Sequence, residues 1–553
     1  MRNPANRRDF MKLITASALA PSFRGAAGST QVTNPAGGDF NPRVEKWGVQ
    51  EIVLPSSKSY SNPFQEVRLE CRFSSGSHEV EAEGFYDGDN QWKVRLMPTV
   101  EGEWSFKTSS NDSDLNGKAG SFLCSPPRPG NHGPVRVQNL YHFGYADGTP
   151  LFVLGTTLYN WIHREEALQQ RTLETLKQSA FNKARFCIFP KWYPYNRVEP
   201  PLYPYVKTGD NQFDFERFNP AYFRHIEQRL RDLEALGIQA DLILFHPYDK
   251  WGFSKMSPAQ DDSYLHYLVA RLAPFRNVWW TMANEFDFIK PAKDWDHIFQ
   301  TVEKADPYGH LRSIHNGRFW YDHSKPWVTH CDIQLQGGDT YVTALGARVK
   351  YGKPVLVDEY GYEGNNMMPW GSLSAREEVS RHWGVTMAGG YASHGETYVH
   401  PGEILWWAVG GDLVGESPAR LRFLKQILSE TPYQELQPLP DAVKRGTVLG
   451  KKGELYLCYF TELGDREKFQ LKIEGAGAFS LDLLDLWLMK TYPLGHVRPG
   501  AHIFNLPFVP SLLRLRRSAT AGSNTQPLAF IQDLLQRWGS HSGRRYFRPL
   551  YGE

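Results

Sequence analysis

The stretch NVWWTMANEFD, residues 277–287, decides the fold. Val278, Trp279, Trp280, Thr281 and Met282 combine β-branched and aromatic side chains with no charge, the composition of a strand buried on both faces. The run stops at Asn284-Glu285, so an apolar strand delivers a carboxylate at its end. Residues 354–361 repeat the device: Pro354-Val355-Leu356-Val357 runs into Asp358-Glu359-Tyr360-Gly361.

Working outward, residues 151–397 alternate strand-like and helix-like segments. Eight strand candidates fall at 151–155, 184–189, 239–245, 277–283, 311–315, 331–335, 354–358 and 391–397. Asn219-Pro220 signs a helix start, with Phe223, Ile226, Leu230 and Leu233 at helical spacing and Gly237 as the stop. Asp261-Asp262 is read as the start of another, with Tyr264, Leu265, Leu268 and Leu272 as its stripe. Eight such units predict a (β/α)8 TIM barrel, typically about 250 residues. The rival open doubly wound sheet usually carries a glycine-rich first turn, which is missing.

The flanks read as β-structure. Val67, Leu69, Cys71 and Phe73 alternate with Arg68, Glu70 and Arg72, while Trp92, Val94 and Leu96 alternate with Lys93 and Arg95, predicting strands with one wet face. The expected fold class is therefore multidomain, a central TIM barrel flanked by an N-terminal and a C-terminal β-sandwich. The predicted boundaries are a leader at 1–30, a sandwich at 40–130, the barrel at 140–435, a second sandwich at 440–517, and a linker and tail at 518–553, whose Leu528, Ile531, Leu534 and Leu535 suit an amphipathic helix. Asn6-Arg7-Arg8-Asp9-Phe10-Met11-Lys12 before a short apolar stretch resembles a bacterial twin-arginine signal, predicting an exported, periplasmic or extracellular protein with no stable membrane insertion.

Composition narrows the function. With 62 basic and 60 acidic residues the formal charge is +2, which argues against a nucleic-acid binder. The aromatic content, 17 Trp, 27 Tyr and 32 Phe, is high enough to supply both cores and stacking platforms. Of five cysteines, Cys71 and Cys124 could pair, and Cys187, Cys331 and Cys458 read as core residues. Zinc-ligand spacings and phosphate loops are missing, so no cofactor and no metal is expected.

A barrel carries its active site at the carboxyl ends of its strands. Those ends offer Thr156, Tyr159, Trp161 and His163; Arg185 and then Lys191, Trp192 and Tyr193; His246, Tyr248, Asp249 and Trp251; Asn284 and Glu285; Asp339 and Tyr341; Glu359; and His394, Glu396, Trp406 and Trp407. Hydroxyl-seeking polar groups and flat rings on one rim suit a carbohydrate. Two carboxyl groups suit glycoside hydrolysis, because one must protonate the leaving oxygen while the other is ionised to attack or stabilise an oxocarbenium-like centre. Glu285 and Glu359, 74 residues apart, belong to strands four and seven, opposite across a barrel mouth. Arg185 is the cation placed to lower one carboxyl pKa. The bland alternative is an ion pair at the rim. Asp249 and Glu396 are the reserve carboxylates.

Asn284-Glu285 after strand four, Glu359 after strand seven and Arg185 on strand two resemble the retaining clan A glycoside hydrolases. The resemblance implies Glu285 as acid/base and Glu359 as nucleophile. Gly155-Thr156-Thr157-Leu158-Tyr159, Ala283 to Asp287, Asp358 to Gly361, His394-Gly395-Glu396-Thr397, Ile404-Leu405-Trp406-Trp407 and Gly415 to Arg420 resemble bacterial proteins with a DUF5060 sandwich, a DUF4038 barrel and a DUF5605 sandwich, a barrel type shared with apiosidase-like enzymes. The substrate-binding set expected around the two Glu is Arg185, Asn284, His246, Trp161, His163, Tyr341, His394 and Trp407. The alternatives carried from the same residues are a non-catalytic glycan-binding barrel and a transglycosylase.

Overall fold

The computed structural model describes residues 31–32 and 42–518, apart from 336, 400–404, 444–445, 462–468, 505 and 507–509. The twin-arginine stretch and the tail helix expected beyond residue 518 lie outside the described residues.

Eight parallel strands form the central sheet: β1 (Leu154–Thr157), β2 (Lys183–Cys187), β3 (Gln239–Phe245), β4 (Val278–Ala283), β5 (Arg312–Ser313), β6 (Cys331–Gln334), β7 (Val355–Glu359) and β8 (Tyr391–His394). The hydrogen-bonded order β5-β4-β3-β2-β1-β8-β7-β6 runs round a barrel that is open only between β5 and β6. That seam is bridged locally: the Thr329 N–H donates to Arg312 O at 2.9 Å, and the Gln334 N–H donates to Asn316 Oδ1 at 3.0 Å. All six residues of β4 are buried, as a strand with helices outside and packed side chains inside requires.

Helices α1 (Glu166–Gln178), α2 (Pro220–Ala235), α3 (Pro258–Leu272), α4 (Ala292–Ala305), α5 (Thr340–Tyr351) and α6 (Ala375–Met387) cover the barrel. Asn219 caps α2 by accepting from the Ala221 N–H at 3.2 Å, and Gly237 ends the turn with φ +71°. The expected start of α3 at Asp261 is corrected: Ser257 and Gln260 form a capping box, and Pro258 takes the first helical position, three residues earlier. The link from β5 to β6 carries no helix, although the alternating pattern predicts one.

The amino-terminal residues build two sheets, one centred on Gln50–Pro55 and Gln91–Leu96, the other ordered Arg43–Glu45, Ala119–Ser125, Gly102–Ser110, Leu69–Ser75, His78–Glu83. Leu69–Ser75 alternates buried and exposed as its sequence predicts. Gln91–Leu96 does not: Lys93 and Arg95, expected in water, are 8% and 2% exposed. Their face of the sheet docks on the barrel. There Arg95 pairs with Glu227 of α2 at 2.8 Å and Glu51 at 2.7 Å, and Arg271 of α3 pairs with Asp87 at 2.8 Å. Cys71 and Cys124 are free, as are the other three cysteines. Their strands are separated by Gly102–Ser110, so two interstrand spacings, roughly 10 Å, hold them beyond disulfide reach.

A hairpin, Val135–Gln138 with His142–Tyr145, plugs the lower end of the barrel; Phe143 sits 5.1 Å from the Trp279 ring and 5.0 Å from Tyr391. After Ser417–Ser429 the chain enters a six-stranded sheet running from Gln437–Pro438 to Ser511–Ser518 and a two-stranded pair, Phe469–Ile473 with Gly500–Phe504.

Candidate active site

The barrel interior is ionic where the strands approach their carboxyl ends. Lys183 on β2 pairs with Asp241 on β3 at 2.6 Å and Asp358 on β7 at 2.8 Å, and the Thr281 hydroxyl donates to Asp241 at 2.6 Å. Each of these groups is buried, and their mutual bonding is what makes a charged layer tolerable. This layer forms the floor under an open cleft of about 530 Å³, a volume ordinary for a ligand site.

Glu359 ends β7 with its carboxylate on the floor of the cleft. Its Oε1 accepts a hydrogen bond from the Tyr159 hydroxyl and lies 3.4 Å from Arg185 Nη1 and 3.4 Å from His315 Nε2. Burial alone would raise the Glu359 pKa. His315, then Arg185 and the Tyr159 hydroxyl outweigh it and hold the carboxyl at about 2. His315, just past β5, is itself held by Asp332 of β6, Nδ1 to Oδ1 at 2.7 Å. Burial would neutralise this ring, but the Asp332 charge wins and pushes its pKa up to about 9.

Glu285 follows β4 in the left-handed region, φ 52° and ψ 54°, a conformation that costs a non-glycine residue of order 1 kcal/mol and turns its side chain toward the cleft wall. Its Oε2 accepts from the Tyr248 hydroxyl. Burial raises the Glu285 pKa and the Glu359 charge adds to the rise, while Lys191, Tyr248 and His315 oppose it. Asn284 completes the group: its Oδ1 accepts from Arg185 Nη2 at 2.9 Å and lies 3.2 Å from the Tyr159 hydroxyl. Two carboxyl groups in one cleft are thus pushed in opposite directions by their surroundings.

One wall is aromatic. Trp407 stands 5.4 Å from Tyr195 and 5.1 Å from Trp370, ring centroid to ring centroid, with Tyr193 and Tyr362 beside them. Apolar ring faces with hydroxyls at their rims fit the alternating C–H faces and hydroxyls of a sugar.

Of the residues expected at the site, Glu285, Glu359, Arg185, Asn284 and Trp407 come together. His246 stands one layer back, donating from Nε2 to Phe189 O at 3.0 Å and accepting from the Tyr248 N–H at Nδ1, so it fixes the turn that aims Tyr248 at Glu285. The other four lie off the cleft lining. Trp161 is buried against Phe186, and His163 bonds Cys187 O at 3.0 Å and stacks on Tyr222, because the short helical turn Trp161–His163 folds back beneath the rim. Tyr341 begins α5 and packs into the outer core. His394 turns outward from β8 onto Phe181. The reserve carboxylates are structural: Asp249 accepts from the backbone N–H groups of Trp251, Gly252, Phe253 and Ser254, and Glu396 from those of Val414 and Gly415. Sequence reasoning missed His315, although it closes the fifth strand candidate, 311–315, where the interposed Arg312 and Ser313 break the apolar run that marks Glu285 and Glu359, and placed Tyr159, Tyr248 and Lys191 on the rim without assigning them to the site.

Among the described residues no helix is long and apolar enough to cross a membrane, and no group of three or more His, Cys, Asp or Glu side chains is arranged to hold a metal ion. Residues 43–111 match the domain of unknown function DUF5060, and residues 137–433 match the apiosidase-like catalytic domain. A Bacteroides vulgatus protein provisionally named a glycoside hydrolase is 36% identical, with a TM-score of 0.80 over 86% of this chain and 100% of that one. A family 5 glycoside hydrolase from Bacteroides vulgatus shares the fold at 14% identity, with a TM-score of 0.59 over 73% of this chain and 99% of its own. No curated protein matches. The apiosidase-like match spans more than half the chain and contains the whole cleft, so the chain belongs to the apiosidase-like family and is a glycoside hydrolase.

Proposed function

We propose that the enzyme cleaves an O-glycosidic bond of a poly- or oligosaccharide with retention, through a covalent glycosyl-enzyme. The observation that carries this is the opposite setting of the two carboxyl groups. Glu359, held ionised by His315, Arg185 and Tyr159, attacks the anomeric carbon. Glu285, whose pKa burial and the Glu359 charge raise, protonates the departing oxygen. In the second half-reaction Glu285, now ionised beside Lys191, takes a proton from water, which attacks the same carbon and releases Glu359. Arg185 and Tyr159 hold the nucleophile in place, and Asn284, tied to both, is set to meet a sugar hydroxyl.

The same reading takes the chain as an exported protein with a leader at 1–30, sandwiches at 40–130 and 440–517 around a barrel at 140–435, and DUF4038 and DUF5605 as its second and third modules. Fractionation of expressing cells tests the export: retention of an uncleaved amino terminus in the cytoplasm contradicts it. For the chemistry, Glu359→Ala loses turnover, and azide restores it as a glycosyl azide of inverted anomeric configuration. Undiminished turnover in that variant removes Glu359 from the nucleophile's role.

A further inference from the structure

Lys191 is 2% exposed, yet it lines the cleft. Its Nζ lies 3.6 Å from the Tyr159 ring centroid, 4.4 Å from Tyr248, 4.6 Å from Tyr193 and 5.6 Å from Trp407. Two of these rings carry the hydroxyls that grip the catalytic carboxylates, Tyr159 on Glu359 and Tyr248 on Glu285. The ammonium is thereby fixed on the wall of the subsite where the reacting sugar must lie. Among the described residues no carboxylate stands within ion-pair distance of Nζ. The contrast with Lys183 is direct: equally buried, it is braced by Asp241 and Asp358. Ring faces attract an ammonium but leave its three N–H donors unfilled, and they replace only part of the lost hydration.

We propose that Lys191 is an anion-binding subsite, and that the sugar held between Glu285 and Glu359 carries an anionic substituent, a carboxylate or a sulfate ester, that pairs with this ammonium. The inference rests on glycoside hydrolysis at this cleft. A neutral hydroxyl would be served by an amide or a phenol, as Asn284 and the tyrosines already provide, without stripping water from a cation. An anion from the substrate fills the vacant donors and gives the ammonium the charged partner that the rings do not. Arg381, a second cation on the lining, donates to Tyr360 O and has no carboxylate within ion-pair distance among the described residues, though Glu377 feels its charge, extending the positive edge of the cleft.

The test compares 4-nitrophenyl glycosides of both anomers in matched neutral, uronide and 6-sulfated forms, with wild type, Lys191→Met and the charge-keeping Lys191→Arg, each checked for folding by thermal melting. The expected result is a wild-type kcat/KM at least about 100-fold higher on one anionic form than on its neutral partner, a preference that weakens with salt, collapses in Lys191→Met and partly returns in Lys191→Arg. Preference for the uronide identifies a carboxylate, and preference for the sulfated form a sulfate ester. Best turnover on the neutral form, or an equal loss on all three forms in Lys191→Met, overturns the proposal. If no glycoside is turned over, calorimetry with acidic and neutral oligosaccharides separates the two readings. Tighter acidic binding that is lost in Lys191→Met keeps the subsite and sinks hydrolysis, whereas equal binding sinks the subsite.

Discussion

Replacing His315 by Gln removes a charged neighbour from the nucleophile while keeping a side chain of similar reach. His315 Nε2 lies 3.4 Å from Glu359 Oε1 and is otherwise unpartnered in the interior, while Asp332 keeps the ring protonated from the other side at 2.7 Å. An interaction of this kind with an ionised partner is worth about 1.5–3 kcal/mol. At about 1.4 kcal/mol per tenfold, losing it weakens the ionisation of Glu359 by roughly 10- to 150-fold as an equilibrium constant. The sign of the pH effect is fixed by the requirement for an ionised Glu359. With His315 present the carboxyl titrates near 2, so the acid limb of kcat/KM lies far below neutrality. Without the imidazolium the limb moves upward by roughly one to two pH units, and the variant loses more activity at pH 4 than at pH 7. His315→Gln alone leaves Asp332 buried without its partner, which costs about 3–5 kcal/mol of stability. The double variant His315→Gln/Asp332→Asn replaces the ion pair by a neutral one and keeps the question answerable. The assay is kcat/KM against pH on one cleaved glycoside, with thermal melting as the control. An acid limb that stays in place in a folded double variant refutes the reasoning.

Glu285→Ala should slow glycosides with poor leaving groups by several orders of magnitude while sparing 2,4-dinitrophenyl glycosides in the first half-reaction; equal slowing of both contradicts its role as acid. Glu396 is buried, and burial raises its carboxyl to about 7 against 4.5 for the free side chain. A carboxyl with a raised folded-state pKa binds more protons folded than unfolded between those values, so stability falls as pH rises from about 4.5 to 7, by about 2–4 kcal/mol from this group. In Glu396→Gln that part of the decline in melting temperature should vanish, and an unchanged pH profile of melting counts against it. Arg95→Met takes one of two cationic partners from both Glu51, which keeps Lys93 at 3.2 Å, and Glu227, which keeps Arg271 at 2.7 Å, and urea unfolding should show a loss of about 1–3 kcal/mol; no measurable loss means the seam is hydrated.

Strand β4 was legible because a strand buried on both faces carries an uninterrupted apolar run, and Glu285 was legible because that run stops at it. Arg185, inside β2, and Asn284, just past β4, were named through the resemblance to clan A glycoside hydrolases. What failed was the direction of the turns beyond the strands. Tyr159 and Trp161 stand two residues apart after β1, but Tyr159 points to the cleft and Trp161 to the core, because a short helical turn begins at Trp161. Lys93 and Arg95 show the same limit: period two marks the two faces of a strand but not what docks on the second one. The pairing of His315 with Asp332, and of Lys183 with Asp241 and Asp358, depends on register between strands far apart in sequence, for which a single chain carries no local signal.

The central claim, that Glu359 attacks the anomeric carbon from the side opposite the bond that Glu285 protonates, is tested most directly by the anomer first released, followed by proton NMR as the reaction begins. The account predicts a product with the anomeric configuration of the substrate, formed before mutarotation. A first product of opposite configuration would mean that water attacks directly, and Glu359 would then be a base rather than a nucleophile.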